Sequence, residues 1–591
     1  MAPRRSDRTR FTLLLALLAV SACGTAETAA LPQQSAAQEI AFPDTWRYSA
    51  DTEPITAPNG MVSTTDTLAT RVGLQVLEDG GTAVDAAIAV SFALAVVQPQ
   101  AGNIGGGGFM VTRTAEGETF ALDYRERAPL AAHADMYLDD DGEPTDASYL
   151  GHQAVGVPGS VMGMWEAHER FGTLEWARLV QPAVELAEGF PMSEEVAGVI
   201  RGQRANLEGF SATREIFLPG GAPPAAGQTF RQPDLARTLT RIRDQGTAGF
   251  YAGETADLIV EEMERGGGLI THEDLATYEA AWREPITFTY RDHTIHSMPP
   301  ASSGGATLAM MARMVEAYDL AEMGWHSTDM IHVLIEAWKR AYADRNHLLA
   351  DSDFVDVPLE RMISREYARE RGADISLASA TPSERIEPGM ESPVSEPTET
   401  THVSIVDRYG NAVALTTTLN LFFGSKVTVE GAGIVLNNEM DDFTARPGFP
   451  NQYGLVQGAQ NVIEPGKRML SAMTPTIVED VDGELFFLTG SPGGGTIITT
   501  VFQTIVNVVD FGMNAAQAVN APRVHHQHLP DHVNWENGGL RPEVVRELEA
   551  RGHVLQERGG ISGDVQAILV LPDGTLSAYA DQRRAGLALG H

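Results

Sequence analysis

Ala83–Val97 reads AVDAAIAVSFALAVV and is apolar nearly all the way round a helix. Such a helix has no face to turn to water and must be covered on every side. It is too short to cross a bilayer, which takes about 20 apolar residues. The chain therefore has to build layers around it. With 591 residues, 43% apolar and 20% charged, it has the material for two to four domains or one large layered α/β unit. A helical pattern over Thr67–Leu77, ended by Asp79-Gly80-Gly81, precedes the apolar segment, and Gln98-Pro99 stops it. Strand-like and helical segments then alternate to about residue 375, with no repeat of fixed period.

The charge balance excludes one class of partner. Lys plus Arg number 42 against 79 Asp plus Glu, a net charge of -37. Nucleic acid rewards a basic footprint, so no nucleic-acid partner is expected. Only Lys339, Lys426 and Lys467 are lysines.

The sole cysteine, Cys23, excludes internal disulfides and cysteine-based metal sites. It follows a basic stretch (Arg4, Arg5, Arg8, Arg10), a ten-residue apolar run Phe11–Val20, and Ser21-Ala22. That arrangement is similar to a bacterial lipobox, with residues 1–22 as signal peptide and Cys23 as the lipidated N-terminus. The alternative is an ordinary secretory signal with a chance cysteine. Residues 23–55, rich in Ala, Thr, Gln and Ser at their start, are expected to form a tether, with the globular part beginning near Thr56.

A second break lies far downstream. Ala378–Glu399 holds Pro382, Pro388, Pro393 and Pro397 among Ser and Glu, the pattern of an extended, exposed, protease-accessible linker. It ends at Thr400-Thr401-His402, where an alternating strand begins. Arg408–Asn411 turns that strand and Ala412–Leu419 returns as its hairpin partner. A Thr hydroxyl at such a junction is usually just the start of a strand. If the bond before it is cut, the new α-amino group, with a pKa near 8, becomes a base beside the hydroxyl.

Three other motifs carry less. Gly105–Gly108 follows a helix and lacks a Gly-Lys-Ser/Thr continuation, so it reads as a tight backbone crossing and not a phosphate loop. His525-His526-Gln527-His528 has no completing ligand spacing and is read as structural hydrogen bonding. Ser491 in Gly490-Ser491-Pro492-Gly493, and Ser302-Ser303, both fail the Gly-x-Ser-x-Gly spacing of a serine nucleophile.

From about Thr56 to Gly586 the chain resembles the γ-glutamyltransferase (γ-glutamyl transpeptidase) family. The resemblance rests on an ordered set of motifs: Gly60-Met61-Val62, Gly80–Ala87, Gly105–Phe109, Asp123-Tyr124-Arg125-Glu126, Ser297–Pro300 with Ser302–Gly305, and Ala341–Arg345. Thr400-Thr401-His402, Asn437–Phe443, Ser491–Gly494, Asn520–Arg523 and Asp581–Arg584 complete it. It implies an N-terminal-nucleophile hydrolase, an α/β (α+β layered) fold with two sheets face to face between helical layers. It also implies self-cleavage between Glu399 and Thr400, giving a large subunit 56–399 and a small catalytic subunit 400–591 as a heterodimer.

The implied roles map residue by residue. Thr400 is the nucleophile and Thr418 orients its hydroxyl. Gly493 and Gly494 supply oxyanion-hole N–H groups. Arg125 clamps the substrate α-carboxylate, while Glu439 and Asp442, with Asn420, receive the α-ammonium. Ser471 touches the α-carboxylate, and Tyr453 lies in a loop that lids the pocket. Many relatives have a second serine where this chain has Ala472, a loss on the order of 1 kcal/mol to carboxylate binding. No metal or organic cofactor is implied. The expected substrates are glutathione and other γ-glutamyl compounds, with water, amino acids or dipeptides as acceptors. The expected location is the cell envelope, lipid-anchored on the periplasmic face of an outer membrane, or secreted if Cys23 is not lipidated. The rivals are a glutaryl or cephalosporin acylase of the same fold, whose substrates would leave the acidic pair idle, and a catalytically silent binding lipoprotein.

Overall fold

A computed structural model describes residues 40–390, 400–446, 459–558 and 562–591. Cys23, Glu399 and Tyr453 lie outside the described residues.

Two seven-stranded antiparallel sheets form the centre. One runs, in spatial order, Leu587–Gly590, Met61–Thr64, Thr400–Val406, Ala412–Thr418, Gly107–Arg113, Thr119–Asp123 and Ala281–Arg283. The other runs Ile55–Ala57, Leu576–Ala580, Gln566–Val570, Leu485–Gly490, Thr476–Glu479, His293–Ser297 and Ile286–Tyr290. Side chains alternate between the faces of a strand, and this sorts Thr400–Val406 cleanly. Val403 and Ile405 pack with the helices Thr67–Glu78 and Ala83–Val97. Thr400, His402 and Ser404 share the opposite face. There, Ser404 Oγ donates to the carbonyl of Gln566 in the second sheet at 3.1 Å. The helices Gly304–Val315, Thr328–Leu348 and Thr496–Val509 pack with residues of the second sheet. The layering is helix, sheet, sheet, helix. Every residue of Ala83–Val97 is buried, as its apolar circumference requires.

Two segments depart from the sequence reading. The tether ends sooner than residue 55: Trp46 is buried and its indole donates to the carbonyl of Asn520, while the Phe42 ring lies 5.4 Å from that of Trp325, tilted by 41°. The expected linker is held for much of its length. Ala380 N donates to Arg551 O at 2.7 Å, and Ser383 N to Asp531 Oδ2 at 2.8 Å. His528 Nε2 donates to the carbonyls of Ser383 and Ile386, and Gly389 N to Asp344 Oδ1 at 2.7 Å. Residues 380–389 are therefore pinned to the body, because their backbone groups find partners on the buried helix Thr328–Leu348 and on the 526–551 region.

The histidine run is structural. His525 Nδ1 meets Thr499 Oγ1 at 2.8 Å and His526 Nε2 meets Asp531 Oδ1 at 3.1 Å. Burial pushes both imidazoles down, to about 3 and about 4.

Candidate active site

Thr400 opens its strand directly opposite Thr418, the last residue of the neighbouring strand. Both are buried, at 3% and 2% exposure. Thr418 Oγ1 accepts from Asn420 N at 2.7 Å, where the chain turns out of the sheet with Asn420 at φ 72°. The glycine run lies underneath. Gly107 pairs with Thr418. A Cβ on Gly106 would stand 2.1 Å from the Thr418 carbonyl, and one on Gly105 2.1 Å from that of Val435. Glycine is required here for close backbone passage, in agreement with the tight crossing expected of Gly105–Gly108. Asn103 Nδ2 also donates to the Thr418 carbonyl at 2.8 Å. The backbone at Thr418 is thus packed against Gly106 and held by Asn103.

A small, nearly filled pocket adjoins them, with free space of only about 10 Å³. It is lined by Arg125, Thr400, Thr418, Asn420, Glu439, Asp442, Ser471, Ala472, Met473 and Ile497. Seven of the residues singled out from sequence thus meet in one cavity, though Arg125 and Asp442 are separated by 317 positions. Arg125 is 1% exposed and its two terminal nitrogens donate separately, one to Glu439 Oε1 and the other to Asp442 Oδ2. Its Nε reaches the carbonyl of Met469 at 3.3 Å. The acids are aimed by a single turn of 3₁₀ helix, Glu439–Asp442. The entry to that turn is braced by Asn437, whose side chain spans Gly105 O, Gly156 and the N–H of Glu439.

Burial pushes Glu439 above its ordinary range, against the pull of Arg125. Burial raises Glu126 well above its range too, reinforced by neighbouring Glu439. Arg125 lies 3.6 Å from Glu126. A buried cation held between carboxylates is costly to desolvate unless each charge is matched. A ligand that brings one charge of each sign can enter without disturbing that balance.

Ser471 Oγ accepts from Met473 N at 3.2 Å, and the Ser471 carbonyl accepts from both the N–H and the hydroxyl of Ser303 at 2.6 Å. Gly493 and Gly494 do not line the pocket. They lie four and three residues before Ile497, which does, in the turn that opens the helix Thr496–Val509. The sequence reading set Ser491 aside as a failed nucleophile, passed over Thr496, and gave no role to Tyr342 of the Ala341–Arg345 motif; the last two hold that turn. Thr496 Oγ1 donates to the Gly493 carbonyl at 2.7 Å, and the Tyr342 hydroxyl donates to that of Gly495. No local spacing marks these roles, because the partners are backbone carbonyls.

Two facing antiparallel sheets between helical layers, with Thr400 opening a central strand beside a charged pocket, define an N-terminal-nucleophile hydrolase fold. Comparison with known proteins sharpens this. A family model described as gamma-glutamyltranspeptidase matches residues 69–591. The glutathione hydrolase proenzyme of Escherichia coli (strain K12) is 45% identical over 533 residues, covering 90% of this chain and 91% of that one. The crystal structure of Helicobacter pylori gamma-glutamyltranspeptidase is 43% identical with a TM-score of 0.55, covering 55% of this chain and 94% of that one. The cephalosporin acylase from Bacillus halodurans is 28% identical with a TM-score of 0.82, covering 93% of this chain and 99% of that one. The chain belongs to the gamma-glutamyltranspeptidase family.

Proposed function

We propose that the protein cleaves γ-glutamyl amides such as glutathione through an ester on Thr400, and passes the glutamyl group to water or to an amino acid or dipeptide. The observation that carries this reading is the placing of Arg125 between Glu439 and Asp442 in the cavity that Thr400 lines. A γ-glutamyl head presents an α-carboxylate and an α-ammonium side by side. The carboxylate takes the fork of Arg125 in two charge-assisted hydrogen bonds, and the ammonium takes the two acids thereby released. A glutaryl side chain has no ammonium, and would leave two buried carboxylates without a cation. This argues against the acylase rival despite the fold likeness.

The chemistry follows from the strand start. Cleavage between Glu399 and Thr400 frees an α-amino group on the nucleophile itself. That amine takes the hydroxyl proton as Oγ attacks the γ-carbonyl. The N–H groups of Gly493 and Gly494 receive the negative oxygen of the tetrahedral intermediate. Collapse breaks the amide, and the leaving amine takes the proton back. Water or an acceptor amine then attacks the ester by the same route, and Thr418 holds the hydroxyl in line. The mature form is a heterodimer of residues up to 399 and residues 400–591. Lipid on Cys23 holds it at the cell envelope, and Gly24 beside that cysteine fits the periplasmic face of an outer membrane.

The test is turnover of γ-glutamyl and glutaryl anilides by purified protein, with free glutamate and dipeptide adduct measured as separate products. Preference for the glutaryl compound would overturn the reading.

A further inference from the structure

We infer that Thr496 and Ser491 are positioning residues that fix the direction of two backbone N–H groups, those of Gly494 and Gly493, in the turn that opens the helix Thr496–Val509. The inference rests on the oxyanion role proposed above for these glycines and explains how a flexible sequence keeps them aimed.

The peptide bond is planar and trans, so the carbonyl of one residue and the N–H of the next move as one rigid unit and point in opposite directions. A bond that holds the carbonyl therefore aims the following N–H. Thr496 Oγ1 donates to the carbonyl of Gly493 at 2.7 Å, and that plane carries the N–H of Gly494. Ser491 Oγ donates to the carbonyl of Pro492 at 2.7 Å, and that plane carries the N–H of Gly493. The serine hydroxyl is itself fixed, because it accepts from Asp564 N at 2.9 Å. Both hydroxyls belong to buried residues, Ser491 at 0% and Thr496 at 5% exposure, so water does not compete for these carbonyls.

The glycines need such external support. Gly493 sits at φ 136° and Gly494 at φ 54°, conformations that side chains rarely adopt. A residue without a Cβ has no steric preference of its own to hold its peptide planes. The neighbouring planes are held by other means. The Gly494 carbonyl accepts from Ile497 N at 2.8 Å, and Tyr342 holds the Gly495 carbonyl. The backbone N–H of Thr496 also reaches the Gly493 carbonyl, at 3.2 Å. Its hydroxyl makes the shorter of the two bonds. With the carbonyls drawn into the helix start, the amides of the turn face outward, where the first N–H groups of a helix have no partner within it.

The test uses matured protein counted per active site. Thr496→Val keeps the shape and removes the hydroxyl, Thr496→Ser keeps the hydroxyl, and Ser491→Ala probes the second plane. For Thr496→Val, kcat on a γ-glutamyl anilide should fall about ten- to a hundred-fold with KM within about two-fold, since only the transition state uses the N–H groups. Thr496→Ser should return kcat to within about three-fold of wild type. Affinity for a boronic acid analogue of glutamate, which mimics the tetrahedral state, should fall in step with kcat, while inhibition by glutamate stays put. A hydroxyl with only a structural role would lower the melting temperature and leave per-site kcat and boronate affinity unchanged. That result in both Thr496→Val and Ser491→Ala would overturn the inference. A crystal structure of the wild-type boronate complex separates the two levels. If the boronate oxygen avoids the N–H groups of Gly493 and Gly494, the oxyanion role itself fails. If it sits on them while the variants behave as wild type, only the positioning role fails.

Discussion

Replacing Asp442 by Asn keeps the shape of the side chain and removes one of the two charges that meet Arg125. The structure sets the size of the effect. Arg125 and Asp442 are 1% and 3% exposed, so little water screens the exchange of partners when a zwitterion binds. One unit charge on another at about 4 Å, with an effective dielectric constant of about 20, is worth about 4 kcal/mol. The amide that replaces the carboxylate keeps a hydrogen bond of about 1 kcal/mol. Glu439 remains as the second acceptor. The net loss is about 3 kcal/mol, or roughly 150-fold in kcat/KM, for a substrate that carries an α-ammonium. A glutaryl analogue has no ammonium and should lose far less. The assay is kcat/KM for matched γ-glutamyl and glutaryl anilides on wild type and Asp442→Asn. Maturation is checked by mass, since Thr400 is untouched. Equal losses on both compounds would mean that Asp442 does not read the ammonium, and the pairing scheme would be wrong.

Thr400→Ala should remain a single chain of precursor size, because the attacking hydroxyl is gone; purified variant still cut at the same bond would refute self-cleavage. Cys23→Ser should move the enzyme from the membrane to the soluble fraction with normal turnover, and unchanged fractionation would refute the anchor. His402 gives a pH test: its ring nitrogens meet the hydroxyls of Thr416 and Ser404, and burial pushes it down from 6.5 to about 3. Its folded pKa lies below its unfolded one, so its contribution to stability is full above about pH 6.5 and is lost on acidification. Relative to His402→Gln, wild type should lose about 1.4 kcal/mol per pH unit between about pH 6 and about pH 4, and parallel stability curves from chemical unfolding would contradict this.

How much the sequence disclosed depended on the range of the forces involved. The buried helix Ala83–Val97 was legible because its own composition leaves no polar face. The junction at Thr400 was legible because a proline-rich run gives way to an alternating hairpin there, while its role as nucleophile came from family resemblance. The glycine run was legible as a backbone crossing, although not what it crosses: the Thr418 and Val435 carbonyls lie more than 300 residues away. Composition misjudged residues 380–389, since proline, serine and glutamate look solvated. The partners that hold them (Asp344, Asp531, His528) come from other parts of the chain. Trp46 was hidden in the same way, as its cover comes from Asn520 and Arg583. Arg125, Glu439 and Asp442 came from family resemblance alone, because no local spacing brings them together. Thr496 escaped notice, and Ser491 was weighed only as a nucleophile, because a hydroxyl bonded to a backbone carbonyl leaves no pattern in sequence.

The central claim is that Thr400, freed at its amino terminus, carries the glutamyl group. Mass spectrometry of purified enzyme, quenched with acid during turnover of a slow γ-glutamyl donor, tests it most directly. The expected result is two chains divided between Glu399 and Thr400, with a glutamyl adduct on the peptide that begins at Thr400. An uncut chain that still turns over the donor, or an adduct on any other residue, would contradict it.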